Sequence, residues 1–171
     1  MSELIIRAEE PSDVPGVHRV NELAFGRPEE AELVERLHAA GKVVVALVAE
    51  QDGEVVGHIL FSPAIIEGSG KECTAVALAP MAVLPWLQHR GIGRRLVEEG
   101  IMACKERDHT RIIVVGHPRY YPWFGFGPAR RYGLRCEFEV QDDAFMALAL
   151  EPEAFAGCSG LVRFAPEFAG V

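Results

Sequence analysis

Two short stretches of this chain carry residue types and spacings that can do chemistry. The first is Gln88-His89-Arg90-Gly91-Ile92-Gly93-Arg94. It follows an apolar, strand-like run from Val76 to Leu84 and opens an amphipathic one. There Ile92, Leu96, Val97, Gly100, Ile101 and Cys104 share one face, and Arg94, Arg95, Glu98, Glu99, Lys105 and Glu106 share the other. Strand, glycine turn and helix together present backbone N–H groups and the positive end of a helix dipole, which is how a chain holds phosphate. Glycine lets the backbone approach a ligand and adopt dihedrals that a side chain forbids. The chemistry to expect is anion binding. Spacing excludes two familiar nucleotide motifs. No Lys-Ser or Lys-Thr pair follows the glycines, as a P-loop requires, and Leu96 stands where a dinucleotide fingerprint needs a third small residue.

The second stretch is Pro118-Arg119-Tyr120-Tyr121-Pro122-Trp123-Phe124-Gly125-Phe126, behind the strand-like run Arg111 to Val115. Tyr121 stands four residues before Gly125-Phe126. A phenol of ordinary pKa, about 10, stays protonated at neutral pH and can act as a general acid. The same Tyr also suits a core aromatic cluster with Trp123, Phe124 and Phe126. Gln-x-x-Gly-x-Gly ahead of a helix, then a Tyr four before Gly-Phe beyond the next strand, resembles the GCN5-related N-acetyltransferases. It is most similar to a subgroup of small bacterial members carrying Tyr-Tyr-x-x-Phe-Gly-Phe. The resemblance covers Val76 to Phe126 and extends back toward Leu4. In that subgroup Gly-Asp-Pro often opens the short helix, where this chain has Gly116-His117-Pro118.

The resemblance implies acetyl-coenzyme A as co-substrate, without a metal, and attack of a neutral amine on its thioester. The pyrophosphate would lie on the N–H groups of His89, Arg90, Gly91, Ile92, Gly93 and Arg94. Gln88 and Arg90 would fix the turn or touch phosphate, and are equally readable as solvated polar residues. The backbone of Met81, Ala82 and Val83 would hold the pantetheine arm as an added strand, with an N–H near Val83 facing the developing oxyanion. Tyr121 would protonate the departing thiolate, whereas Tyr120 reads as packing. For the base that deprotonates the amine, Glu22, His58, Glu72, His117 and ordered water are open choices. The partner implied is a small-molecule or peptide amine, with a homodimer left open. A coenzyme-binding sensor without turnover is the alternative class. A transferase acting on charged transfer RNA is a third, disfavoured by the acidic charge balance.

These residues need elements to position them. Leu4 to Ala8 reads as a strand, and Ser12 or Asp13 can cap a helix running to Phe25. Pro28 opens a second helix with Leu33, Val34 and Leu37 on its apolar face. Lys42 to Glu50 and Glu54 to Ile66 flank a Gln51-Asp52-Gly53 hairpin turn. Glu67-Gly68-Ser69-Gly70 makes the next turn, and a strand runs on to Leu84. The long helix continues to about Arg107, and Pro118 suits the first turn of a short one. Phe145 to Leu150 and Gly160 to Phe164 read as strands, with a helical turn at Pro152 to Phe155. The order β-α-α-β-β-β-α-β-α-β predicts an α/β fold, as the resemblance does: a mixed, mainly antiparallel central sheet with helices on both faces. A single domain is expected over 1–171, its core over about 4–126 and its last strands, in 127–171, completing the sheet or the acceptor site.

Size and charge bound the rest. At 171 residues the chain is long enough for one well-buried core, and 49% of it is apolar. Its net charge of −8 argues against a general nucleic-acid binder, which shows a basic face. The apolar stretch Ala75 to Leu87 is broken by Pro80 and Pro85 and falls short of the roughly twenty residues a membrane span needs. The first residues show no secretion signal, so a cytoplasmic protein is expected. Cys73, Cys104, Cys136 and Cys158 are scattered with no C-x-x-C pair, which predicts four reduced thiols and no disulfide.

Overall fold

In the computed structural model, residues 3–68, 70 and 72–171 are described. Ser69, in the expected Glu67-to-Gly70 turn, lies outside them. The chain forms two compact units, Met1–Phe61 with Pro80–Ala103 and Pro166–Val171, and Ser62–Ala79 with Cys104–Ala165.

In the first unit, strand β1 (Leu4–Ala8) pairs antiparallel with β2 (Val45–Gln51), and β2 with β3 (Glu54–Gly68). The β2–β3 turn has Asp52 at φ 55° and Gly53 at φ 76°, the left-handed pair that a tight hairpin demands. The helices are α1 (Val14–Phe25), α2 (Glu29–Ala39) and α3 (Ile92–Glu106). Alternation along β3 separates them. His58 meets Asn21 of α1, while its neighbours Gly57 and Ile59 face Leu96 and Gly100 of α3. A Cβ on Gly100 would come within 2.5 Å of the Phe61 ring, so this glycine is what lets α3 lie close on the sheet. Ile92, Leu96 and Val97 are buried on the inward face expected of them.

The expected side-chain cap on α1 is absent: Asp13 precedes the helix, but its carboxylate makes no capping bond to it. A short 3-10 turn over Pro11–Asp13 precedes α1, and the buried Asp13 carboxylate accepts the Glu10 N–H at 2.7 Å. It also takes the Arg7 guanidinium bidentately at 2.8 and 2.9 Å, and that guanidinium extends to Glu50. The Arg7 hydrogen bonds hold the Asp13 carboxyl below its ordinary pKa, with burial opposing them. A carboxylate depressed by folding contributes stability above its unfolded pKa, about 3.9, and loses it as pH falls through the folded value. Asp13→Asn is therefore expected to lose about 2–3 kcal/mol at pH 7. The gap to wild type should close in acid, as denaturant melts at pH 7 and pH 3 will show. A pH-independent gap would remove the charge pair as its cause.

In the second unit, β4 (Cys73–Val83) pairs in parallel with β5 (Arg111–Val115) at Val76–Ile112 and Ala77–Ile113. Strand β5 pairs antiparallel with β8 (Phe145–Ala149), which also takes β6 (Gly127–Pro128). The end of β3 pairs antiparallel with β9 (Gly160–Arg163), and β9 pairs in parallel with β7 (Leu134–Cys136). Strands β6 to β9 belong to this sheet, which is mixed and mainly antiparallel as expected.

The cysteine expectation is corrected. Cys73 and Cys158 form a disulfide with Cα atoms 5.7 Å apart, which leaves Cys104 and Cys136 free. Spacing in the chain hides the pair because 85 residues separate it. Pairing of β9 with the end of β3 brings Cys158, just ahead of β9, to Cys73 at the start of β4. A loop of that length makes the cross-link worth about 4.5 kcal/mol on the chain-entropy account. Thiol titration of the denatured protein without reductant should find two thiols; four would remove the cross-link.

Candidate active site

The turn from Gln88 to Arg94 joins β4 to α3, as the residue order implies. Leu84 donates its N–H to the Val56 carbonyl at 3.0 Å. In an antiparallel pair the bonded residues alternate, so Leu84 and Ala82 face β3, while Met81 and Val83 aim their N–H and C=O groups at the opposite edge. A 3-10 turn over Pro85–Leu87 follows, and Gln88 returns its side-chain amide to the Val83 carbonyl at 3.1 Å. Gln88 thereby ties the turn to the strand, one of its two expected roles. His89 then lies at φ 64° and Gly91 at φ 87°. Residues of positive φ on either side of Arg90 are the kind of backbone pattern from which a nest of N–H groups is made. Histidine is enriched at positive φ among residues other than glycine, yet most histidines lie elsewhere, so the His89 conformation was not legible in the chain. The Gly91 carbonyl accepts the Arg95 N–H, which starts α3, and Ile92 and Gly93 open its first turn, where N–H groups have no acceptor within the helix.

A Cβ added at Gly91 meets nothing within 4 Å, so packing does not require the glycine. Its backbone conformation and an open approach do, and both fit a bound pyrophosphate. Arg90 is exposed beside the nest. Arg94 reaches Glu98 at 3.5 Å along the helix surface.

Tyr121 is built differently from the expected helix at Pro118. His117 to Tyr120 forms a turn, and the 3-10 helix spans Tyr121–Phe124, ending at Gly125 with φ 100°. Pro118 and Pro122 both lack an N–H, and Gly125 closes the turn onto the Pro122 carbonyl at 3.0 Å, so no longer helix can form. His117 Nδ1 accepts the Arg119 N–H at 3.3 Å, the two-residue reach by which an aspartate would set such a turn. The departure from Gly-Asp-Pro therefore keeps the local bond. Tyr121 is 8% exposed, edge-on to Tyr120 and Phe126 with ring centroids at 5.1 and 5.6 Å. A Cβ on Gly116 would fall 2.3 Å from its ring, so Gly116 makes room for the phenol. Burial, reinforced by Tyr120, pushes the Tyr121 hydroxyl well above its ordinary pKa and keeps it protonated across the neutral range.

The candidate bases separate. His58 is fully buried with both ring nitrogens engaged, Nδ1 by the Asn21 amide at 3.2 Å and Nε2 by Glu9 at 2.9 Å. Asn21 Nδ2 also donates to the Val17 carbonyl, so Nδ1 of His58 accepts and Nε2–H donates to Glu9. Glu9 bridges on to His38 at 2.8 Å. Burial alone would raise the Glu9 pKa, and the two histidines outweigh it and hold the group below its ordinary value. This buried network binds β3 to both helices and has no free lone pair at His58 to offer a substrate. Glu22 lies 3.5 Å from His18 on the surface of α1, and Glu72 is exposed just before β4. Among the described residues no cluster of His, Cys, Asp and Glu could hold a metal ion.

A mainly antiparallel sheet, a strand that turns through a nest into a helix, and a buried tyrosine turn after the next strand define an acyl-transferring class of domain. Residues 5–129 match the Acetyltransferase (GNAT) domain, and the chain belongs to that family. The N-acetyltransferase YhbS of Escherichia coli K12 is 34% identical over 166 residues, covering 96% of this chain and 98% of that protein. The structure of Escherichia coli YhbS in complex with CoA superposes with a TM-score of 0.92 at 33% identity, covering 98% of this chain and 93% of that one. A Brucella melitensis GNAT acetyltransferase in complex with acetyl-CoA gives 0.81 at 33% identity over 97% of this chain and 98% of that one.

Proposed function

We propose that the Gly91 nest and the outer edge of β4 hold acetyl-coenzyme A, and that Tyr121 supplies the proton for its departing thiol. The protein is an acetyl-CoA-dependent N-acetyltransferase. Bound acetyl-coenzyme A supplies an activated acetyl group as a thioester. The N–H groups from His89 to Arg94 hold the pyrophosphate, reinforced by the positive end of α3. Met81 and the Val83 N–H offer backbone groups that β3 leaves unused, so the pantetheine arm adds to the sheet edge. The Val83 N–H faces the charge that develops on the acyl oxygen. The Tyr121 phenol carries a proton at neutral pH and gives it up to sulfur.

The observation carrying this reading is the nest itself, with left-handed His89 and Gly91 and open space at the Gly91 Cβ position. We take residues 1–171 as one domain, supported by β3, β4 and α3, each of which begins in one compact unit and ends in the other. No helix among the described residues is long and apolar enough to cross a membrane. We place the enzyme in the cytoplasm, where burial of Cys73 (3% exposed) and Cys158 (2% exposed) shields their bond from thiolate attack. The acceptor is an amine, small or peptidic. The test is amine-dependent release of free thiol from acetyl-coenzyme A. Coenzyme binding without any such release across an amine panel would leave a sensor and overturn the enzyme.

A further inference from the structure

We infer that Arg19 and Trp86 form the acceptor-binding edge of this enzyme, and that the acceptor is an amine carrying a carboxylate on an apolar body. This rests on the acetyl-transfer reading above. Trp86 is 56% exposed, although an indole of that size is strongly favoured in a core. It sits in the 3-10 turn between the two parts of the coenzyme site, three residues after Val83 and two before Gln88. Three residues span at most about 11 Å, which keeps the Trp86 backbone within that reach of Val83, where acetyl transfer is proposed. The bond from Gln88 to the Val83 carbonyl closes this loop at its base, and Leu87 donates to the Leu84 carbonyl at 2.9 Å within it. The exposed ring is therefore held on a pinned turn, as a binding residue must be.

Arg19 supplies the charge. Its guanidinium lies over the Trp86 ring, 5.6 Å from the centroid, which fixes a flexible side chain against a rigid one. Arg7, Arg27, Arg94, Arg95, Arg130 and Arg163 each reach a carboxylate of the protein. Among the described residues Arg19 reaches none, in a chain with 25 acidic residues against 17 basic. A guanidinium fork fits a carboxylate bidentately. Leu23, one helical turn along α1 and 40% exposed, extends the surface with an apolar group. A ligand that satisfies the site places its carboxylate on Arg19, its apolar body on Trp86 and Leu23, and its amine toward Val83. Amino acids and short peptides with a free amine have this chemistry.

The test uses pairs that differ only in the carboxylate: L-phenylalanine with phenethylamine, L-leucine with isoamylamine, and L-lysine with cadaverine. Thiol release is read as kcat/KM for each, with acetyl-coenzyme A saturating and its own KM measured separately. Wild type should favour the acid-bearing member of at least one pair by about tenfold to a hundredfold, the range a charged hydrogen bond supplies. Arg19→Gln should collapse that ratio through KM, Arg19→Lys should keep part of it, and Trp86→Ala should raise KM for the preferred acid. Equal or better use of the decarboxylated amines by wild type would overturn the proposal. So would an Arg19→Gln effect that falls equally on both members of each pair, or on the KM for acetyl-coenzyme A. If the coenzyme raises the melting temperature but no amine in the panel is acetylated, the acceptor proposal falls and coenzyme binding stands. If the coenzyme does not bind, the acetyl-transfer reading falls with it.

Discussion

Tyr121→Phe is expected to lower kcat by roughly 10²-fold, with little change in folding or coenzyme affinity. The ring is 8% exposed and packs edge-on against Tyr120 and Phe126, contacts that a phenylalanine keeps. Gly116, whose missing side chain makes room for the ring, is unaffected. What disappears is the proton that the departing thiolate takes. General acids contribute about 10²–10⁴-fold, and an alkyl thiolate is a fair leaving group even unprotonated, which puts the loss at the low end. Burial works in the same direction. By raising the phenol's pKa it makes Tyr121 a weaker acid but guarantees that the proton is present. Wild-type kcat should therefore show no basic limb from Tyr121 below the ordinary phenol range. Tyr120→Phe should cost far less, since Tyr120 meets Tyr121 and Phe124 through its ring. The comparison needs one acceptor, a thiol-release assay and a pre-steady-state check that chemistry limits turnover. Equal rates for Tyr121→Phe and wild type would reduce Tyr121 to a packing residue.

Gly91→Glu is expected to abolish coenzyme binding. Saturation at a hundredfold over Kd stabilises a protein by about 2.7 kcal/mol, which for a chain of this length raises Tm by about 5–10 °C. Wild type should show that rise with coenzyme A and with acetyl-coenzyme A, and much less with NADH or ATP. The glutamate places bulk and negative charge into space that is open at the Gly91 Cβ position, where the pyrophosphate is to sit. It also strains a φ of 87°, so some loss of stability accompanies it. Gly91→Asn separates the two effects, because asparagine tolerates the left-handed region and carries no charge. It should fold nearly as well as wild type and keep a reduced shift. A wild-type melting curve unmoved by saturating coenzyme would end the assignment of this turn as the binding site.

Local periodicity and turn chemistry made much of this protein legible in the residues alone. The amphipathic spacing of Ile92, Leu96 and Val97 predicted α3 and its buried face, and Asp52-Gly53 predicted the hairpin. Gly91 at the strand-to-helix junction predicted a turn of positive φ ahead of α3, because few residues can make one. Each of these is decided within a few residues, where steric and hydrogen-bonding rules act directly on side-chain type. The short helix was misplaced for a related reason: Pro118 suits a first turn, yet Pro122 and Gly125 together leave room only for a 3-10 turn over Tyr121–Phe124.

What only the tertiary structure decided are the pairings between distant segments. The Cys73–Cys158 disulfide spans 85 residues and depends on β9 pairing with the end of β3. The withdrawal of His58 from the candidate bases depends on Glu9, Asn21 and His38 arriving from the loop after β1, from α1 and from α2. The Arg19 guanidinium over Trp86 joins α1 to the turn after β4. In each case residue type is compatible with several partners, and which one is met depends on strand register and helix placement. Those are set by the burial of many apolar side chains at once, a sum over the whole core that no short stretch of chain carries.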